Sequence, residues 1–179
     1  MTEEFKTAIF AGGCFWCTEA VFRRINGVKT VNSGYTGGFI KNPAYREVCS
    51  GITGHAEGIK IGYDPSMVSY VELLEVFFAT HDPTTLNKQA NDVGTQYRSA
   101  IFYTDTRQKS QAQDYISLLT SEGVFSSPIV TEITKFEVFY EADENHKDYY
   151  NNNKEQPYCQ FLIRPKLKKL QEHFSDKLK

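Results

Sequence analysis

The sequence predicts an α+β fold: a two-layer sandwich on a ferredoxin-like βαββαβ core, with an added strand and a C-terminal helix. Two observations lead there. Segments with strand-like alternation and segments with helical periodicity follow one another in the order β-α-β-β-α-β, after which one more helix and strand appear. No repeat, linker or change of composition divides the 179 residues, so a single domain over 1–179 is expected around one core. A largely antiparallel sheet covered by helices satisfies both.

Residues 5–11 carry the first strand, with Ala8-Ile9-Phe10-Ala11 as its apolar run. Gly12 and Gly13 then turn the chain, because glycine tolerates positive φ at little cost. The first helix is expected over 15–25, with Val21, Phe22 and Ile25 on one face and Gly27 as its stop. Val28 to Tyr35 alternates and is rich in β-formers, a second strand. A loop through Gly37-Gly38 and Pro43 brings Tyr45 and Cys49 towards the first turn, and His55 to Tyr63 is the third strand. Ser69-Tyr70-Val71-Glu72 has the form of a capping box and opens a helix that closes at His81-Asp82-Pro83. Residues 83–97 form a polar loop of a length that points to function. Ser99 to Tyr103 is the fourth strand, 106–121 an amphipathic helix stopped by Gly123, and 129–140 a fifth extended stretch. A short polar helix runs through 143–151, and a surface helix over 166–178 turns Leu167, Leu170 and Phe174 inward.

Composition excludes several classes of function. A net charge of -2, with no basic cluster beyond Lys166, Lys168 and Lys169, argues against a nucleic-acid partner. No apolar run approaches the ~20 residues of a membrane span. The polar start, Met1 to Lys6, lacks the basic and apolar regions of a signal peptide, so a cytoplasmic monomer is expected. In that setting structural disulfides are not expected, and catalytic, redox or metal roles compete for the four cysteines. Four cysteines and four histidines match no zinc pattern beyond one Cys-X-X-Cys, so neither a metal nor a cofactor is expected.

The chemistry centres on Gly12-Gly13-Cys14-Phe15-Trp16-Cys17. Cys14 falls at the first turn of a helix, where free N–H groups and the helix dipole favour a thiolate. Cysteine is more often a small buried hydrophobe, but the preceding Gly-Gly and a second cysteine one turn on favour a nucleophile. Phe15 and Trp16 supply an apolar wall. Glu57 is a strand-borne acid, Tyr45 and Tyr97 are phenols on loops, and Asp92 is a carboxylate near Tyr97. Both tyrosines read equally well as packing residues. His146 reads as a supporting or a solvated residue. Cys159 lies on a late extended segment after an Asn-rich loop. A nucleophilic thiol, a distant acid, phenols and a spare thiol suit reduction of an oxidised substrate with disulfide turnover.

These residues lie in blocks that resemble one family. The blocks are Gly12 to Cys17 with Glu19-Ala20, Ser33-Gly34-Tyr35, Glu47 to Gly51, Gly54-His55-Ala56-Glu57, His81 to Thr84, Gly94 to Ala100, and Phe139 to Ala142. From about residue 6 to 167 the chain is similar to the methionine sulfoxide reductases of the A class, which act on the S epimer. The resemblance implies that Cys14 attacks the sulfoxide sulfur, Glu57 protonates the departing oxygen, and Tyr45 and Tyr97 hydrogen-bond it. Phe15 and Trp16 would pack around the substrate methyl group, and Asp92 would help orient the site. Cys14 would become a sulfenic acid and condense with a resolving thiol, the disulfide then being reduced by thioredoxin. Cys159 aligns with the resolving position that many members carry on a mobile C-terminal segment and is preferred. Cys17, where many members have glycine, is the alternative. Cys49 is assigned a structural role. The long glycine-rich tail with a further cysteine found in some members is missing, so a relay through such a tail is not expected. The substrate would be methionine sulfoxide, free or in proteins.

Two other readings stay open. A general thiol-disulfide oxidoreductase would use Cys14 and Cys17, although a thioredoxin-like βαβ arrangement and its cis-Pro strand are missing from the pattern. A regulatory binding module with a redox-sensing Cys14 would oxidise without turning over.

Overall fold

The computed structural model describes residues 4–179, so the Met1 to Glu3 part of the polar start lies outside the described residues. β1 (Lys6–Gly12) leads into α1 (Phe15–Phe22), and β2 (Val28–Thr36) returns to pair with β3 (Ala56–Tyr63). A short α2 (Tyr45–Cys49) lies between those two strands. Next come α3 (Tyr70–Ala79), the two-residue strands β4 (Lys88–Gln89) and β5 (Asp92–Val93), then β6 (Ser99–Tyr103) and α4 (Thr106–Ser121). β7 (Glu132–Lys135), β8 (Phe139–Glu141), α5 (Tyr149–Asn152) and α6 (Arg164–Phe174) complete the chain. Six strands form one sheet in the order β7-β6-β1-β3-β2-β8, antiparallel except where β6 meets β7. The fold is mixed α/β.

Strand alternation sorts the side chains onto two faces. Ala8, Phe10, Ile59 and Ile61 point to the face carrying the helices, where Phe22, Leu73, Phe77, Ala112 and Leu170 meet them. Phe10 stacks on Phe77 with ring centroids 4.8 Å apart. Burying each such ring contributes roughly 1.5–3 kcal/mol relative to leaving it in water. Ile9, Ala11, Ala56, Ala100 and Phe102 point the other way, and the half-buried Phe136 and Phe139 pack against that smaller cluster. The α3 capping box forms as the sequence predicts: Ser69 Oγ accepts from the Glu72 N–H at 3.1 Å and Glu72 Oε1 from the Ser69 N–H at 3.3 Å.

Four expectations are corrected. The fifth extended stretch is two strands at opposite edges of the sheet: β7 pairs with β6, and β8 with β2. Phe136 donates its N–H to the Tyr103 carbonyl, and the chain then crosses the small apolar face with Phe136 and Phe139 turned onto it. Alternation shows which residues face inward but not which edge they join. The first helix ends at Phe22, three residues early. The loop through Gly37-Gly38 and Pro43 is followed by α2, and the loop at 83–97 contains the β4–β5 pair, both too short to show a period. Finally, Cys159 is not on an extended segment. It begins a π-helical turn, Cys159–Ile163, that runs directly into α6.

Candidate active site

Two glycines set the site's geometry. Gly13 has φ of +90°, and a Cβ there would lie 2.6 Å from Gln89 Cγ. At Gly12 a Cβ would lie 3.0 Å from the rings of His81 and Phe77. The tight turn leaves Cys14 as the N-cap of α1 and Cys17 as its third residue, with the Cys17 N–H donating to the Cys14 carbonyl at 3.1 Å. Each thiol shifts the ionisation of the other.

Glu57 projects from β3 beneath this helix end and is 1% exposed. Its Oε1 accepts the Phe15 N–H at 3.2 Å, while Oε2 has no partner among the described residues. Burial pushes its pKa up to about 8, with the charges of Asp92 and Cys17 adding and the Phe15 N–H opposing. At neutral pH it is therefore mostly a carboxylic acid, able to donate.

The thiol at 14 departs from its expected chemistry. It is 7% exposed, and burial first, then the Cys17 sulfur and Glu57, push its pKa up rather than down. Desolvation outweighs the helix end here, because a helix dipole offsets only about 0.3–1 kcal/mol at an ordinary site. Cys17 moves the other way, down to about 7, chiefly through the hydrogen bond from Cys14, with Lys166 and Tyr158 assisting against burial. Since the two thiols share a hydrogen bond, they titrate as a pair that holds one proton between them.

Tyr45 opens α2 and Tyr97 closes a short 3-10 turn, Thr95–Tyr97. Both hydroxyls act on the Cys49 thiol, lowering its pKa against the burial that raises it. Burial raises both phenols, so both stay protonated as donors. Asp92 Oδ2 accepts from the Tyr158 hydroxyl at 2.9 Å, and that same hydroxyl lies 3.7 Å from Cys17 Sγ. Phe15 is fully buried against Tyr35, Tyr45 and His146, with ring centroids 5.6, 6.3 and 5.5 Å away. Trp16 stacks on Tyr149 at 3.8 Å. Cys159 is fully buried and packs in one cluster with Cys14, Cys17, Ala20 and Ile163. The structure thus brings every predicted site residue to one end of the sheet.

Three neighbours take their place only in the fold. Of its two readings His146 takes the supporting one: it is buried, and the Trp16 indole N–H donates to its Nδ1 at 3.1 Å. An indole nitrogen only donates, so Nδ1 is unprotonated and the ring neutral; burial lowers its pKa in the same sense. Tyr35 pairs with Glu57 in the β2–β3 register, and its buried hydroxyl has no partner among the described residues. Tyr158 bridges Asp92 and Cys17 as described above. Among the described residues, no group of three or more His, Cys, Asp or Glu is placed to hold a metal ion.

A thiol able to supply electrons lies here with a carboxyl able to supply a proton, the equipment of a thiol-dependent oxidoreductase. The family model "Peptide methionine sulfoxide reductase" matches residues 6–178, and the chain belongs to that family. It is 53% identical over 172 residues to a peptide methionine sulfoxide reductase MsrA of Trichodesmium erythraeum, covering 96% of this chain and 97% of that one. Reduced Mxr1 of Saccharomyces cerevisiae superposes with a TM-score of 0.80 at 32% identity, over 87% of this chain and 90% of that one. Mxr1 in complex with Trx2 gives a TM-score of 0.54 at 25% identity, over 83% and 89%.

Proposed function

We propose that the chain reduces methionine-S-sulfoxide, free or in proteins, with Cys14 as nucleophile and Glu57 as general acid. The observation that carries this reading is the buried acid: Glu57, held by the Phe15 N–H, stays protonated beside the sulfur that must attack. A sulfoxide sulfur accepts a nucleophile only as its oxygen is hydrogen-bonded or protonated, so the two groups are useful only together. The partial positive charge on that sulfur, set against Cys14, would offset the burial that raises the thiol. Tyr45 and Tyr97 would bind the oxygen as it gains charge, Phe15 and Trp16 would take the methyl group, and Asp92 would hold the opening of the site through Tyr158. Fixing oxygen and methyl group in separate places selects one epimer.

The reaction balances with no further reagent. The Cys14 thiolate and the Glu57 proton convert the sulfoxide into thioether and leave Cys14 as sulfenic acid. A neighbouring thiol, Cys159 or Cys17, condenses with it to a disulfide and water. The reductant is then a thioredoxin, a reading supported by the Mxr1–Trx2 complex. The strand order β6-β1-β3-β2, with its two helical crossovers, supports a ferredoxin-like core in a two-layer sandwich, and the shared core supports one domain over 1–179. We read the protein as a cytoplasmic monomer; no helix among the described residues is long and apolar enough to cross a membrane.

The test is an epimer-resolved assay with dithiothreitol. The protein should consume the S epimer and leave the R epimer, and Cys14→Ser should consume neither. Turnover retained by Cys14→Ser sinks the reading. The general disulfide oxidoreductase, favoured by the low Cys17 pKa, would instead exchange disulfides and ignore sulfoxides.

A further inference from the structure

Among the described residues two carboxylates are buried, Glu57 and Glu19, each 1% exposed. Glu57 serves the substrate oxygen. Glu19 lies on α1, three residues after Trp16. Burying a carboxylate is costly unless its oxygens are engaged. Here Oε1 accepts the Tyr149 N–H at 3.3 Å, from a residue 130 positions away, and Arg23 Nη2 stands 3.5 Å from Oε2. So expensive a group would be a poor choice merely to fasten a surface turn, which directs attention to what Tyr149 holds.

Tyr149 opens α5, and the first N–H groups of a helix have no acceptor within it. The preceding side chain usually supplies one. Asp148 does not: its backbone is left-handed, with φ of +48°, and its carboxylate accepts from Asn151 at 2.8 Å instead. Glu19 thus caps α5 from a different helix. The ring of the same tyrosine lies flat on Trp16, with centroids 3.8 Å apart and planes at 7°. Residues three apart share a helix face, so α1 grips Tyr149 twice, by its backbone through Glu19 and by its ring through Trp16. The indole edge is fixed as well, since its N–H donates to His146 at 3.1 Å. The plane of Trp16 is therefore set by the short stretch from His146 to Tyr149, and Glu19 ties that stretch to α1.

We propose that Glu19 is a positioning residue for substrate selection: by capping α5 it keeps Tyr149 stacked on Trp16, and so fixes the indole plane against which the substrate methyl group packs. The inference rests on the reading that Trp16 takes that group. What counts is an acceptor at the reach of Oε1, more than the charge, which Arg23 offsets. Without that acceptor the Tyr149 N–H is left unpaired, the stack loosens, and an indole free to tilt admits a longer alkyl group. Glu57, held by the Phe15 N–H on the preceding turn, keeps its place, so the loss falls on binding and on the choice of alkyl group.

The experiment sets Glu19→Asp, Glu19→Gln and Tyr149→Ala beside wild type. Glu19→Asp keeps the charge and falls one methylene short; Glu19→Gln keeps an acceptor at full reach. Trp16 is the one tryptophan in the chain, so its fluorescence reads the stack directly. Glu19→Asp should shift the emission to the red and raise quenching by acrylamide as far as Tyr149→Ala does, while Glu19→Gln stays with wild type. With dithiothreitol as reductant, Glu19→Asp should raise KM for methionine-S-sulfoxide about tenfold and leave kcat within about threefold, the pattern of lost binding in a folded enzyme. It should also lose about tenfold of the preference for the methyl over the ethyl sulfoxide, the low end of what one methylene is worth in a fitted pocket. Unchanged emission in Glu19→Asp, a kcat that falls while KM and the methyl preference hold, or Glu19→Gln as damaged as Glu19→Asp overturns the proposal. If wild type turns over no sulfoxide, the activity reading fails instead, and the fluorescence series still decides whether Glu19 holds Trp16.

Discussion

The two sides of Cys14 are built from different parts of the chain. On one side, Glu57 on β3, Tyr45 on α2 and Tyr97 before β6 gather where a substrate oxygen would go. On the other, Cys17 on α1 and Tyr158 and Cys159 near the C-terminus gather where oxidised sulfur would be handed on. On the oxygen side Glu57 is fully buried on β3 and the two phenols are half-buried, and desolvation keeps all three neutral and able to donate. On the sulfur side Cys14 first, and then the charge of Lys166, hold the Cys17 thiol near the ionisation that attack requires. Burial is common to both; the difference lies in which charges accompany it.

Variants on the two sides should fail differently. The largest effect belongs to Glu57→Gln, which should slow methionine formation about 10²–10⁴-fold in a single-turnover assay, the usual value of a general acid. The wild-type rate should also fall as pH rises through about 8, where Glu57 gives up its proton, and the variant should lose that limb.

The same substitution should stabilise the protein. An unfolded chain loses this proton near the ordinary value of 4.5, while the folded chain keeps it to about 8. The contribution of Glu57 to stability is thus fully present below about pH 4.5 and is lost as pH rises to 8. A glutamine cannot ionise, so the Tm advantage of Glu57→Gln should widen between pH 5 and 8. A constant gap would mean that Glu57 is not held neutral by the fold.

Next in size is Tyr97→Phe, with an expected loss of about tenfold in single-turnover rate, the worth of one well-placed hydrogen bond. An equal loss confined to steady-state turnover would move Tyr97 to the sulfur side. The smallest effect is Tyr158→Phe. It removes the hydroxyl that lies between Cys17 and the Asp92 carboxylate, leaving the thiol to face that charge, and should raise the apparent pKa for iodoacetamide capture of Cys17 while leaving the rate of methionine formation within about threefold. A large fall in that rate would join the two sides into one.

Much of this site is legible in the chain as written. Gly12-Gly13-Cys14 announces a strand, a turn forced by glycine and a thiol at a helix start, and the structure has each in place. The capping box at Ser69 is equally local. What escapes has no local signature. His146 looks like any polar loop residue until Trp16 folds against it, and Tyr158 gains its meaning from an aspartate 66 positions away. The segment from 129 to 140 has strand chemistry throughout, yet whether it forms one strand or two depends on which edges lie free.

By itself the sequence determined the order of the longer strands and helices, the thiol at the start of the first helix and the kinds of groups that could serve it, because propensity, capping and turn chemistry act over a few residues. Only the tertiary structure decided the protonation states: Cys14 raised where the helix end alone would lower it, Cys17 lowered, and Glu57 kept as an acid. Those follow from how much water and which charges surround each group, and both are set by residues far apart in the chain.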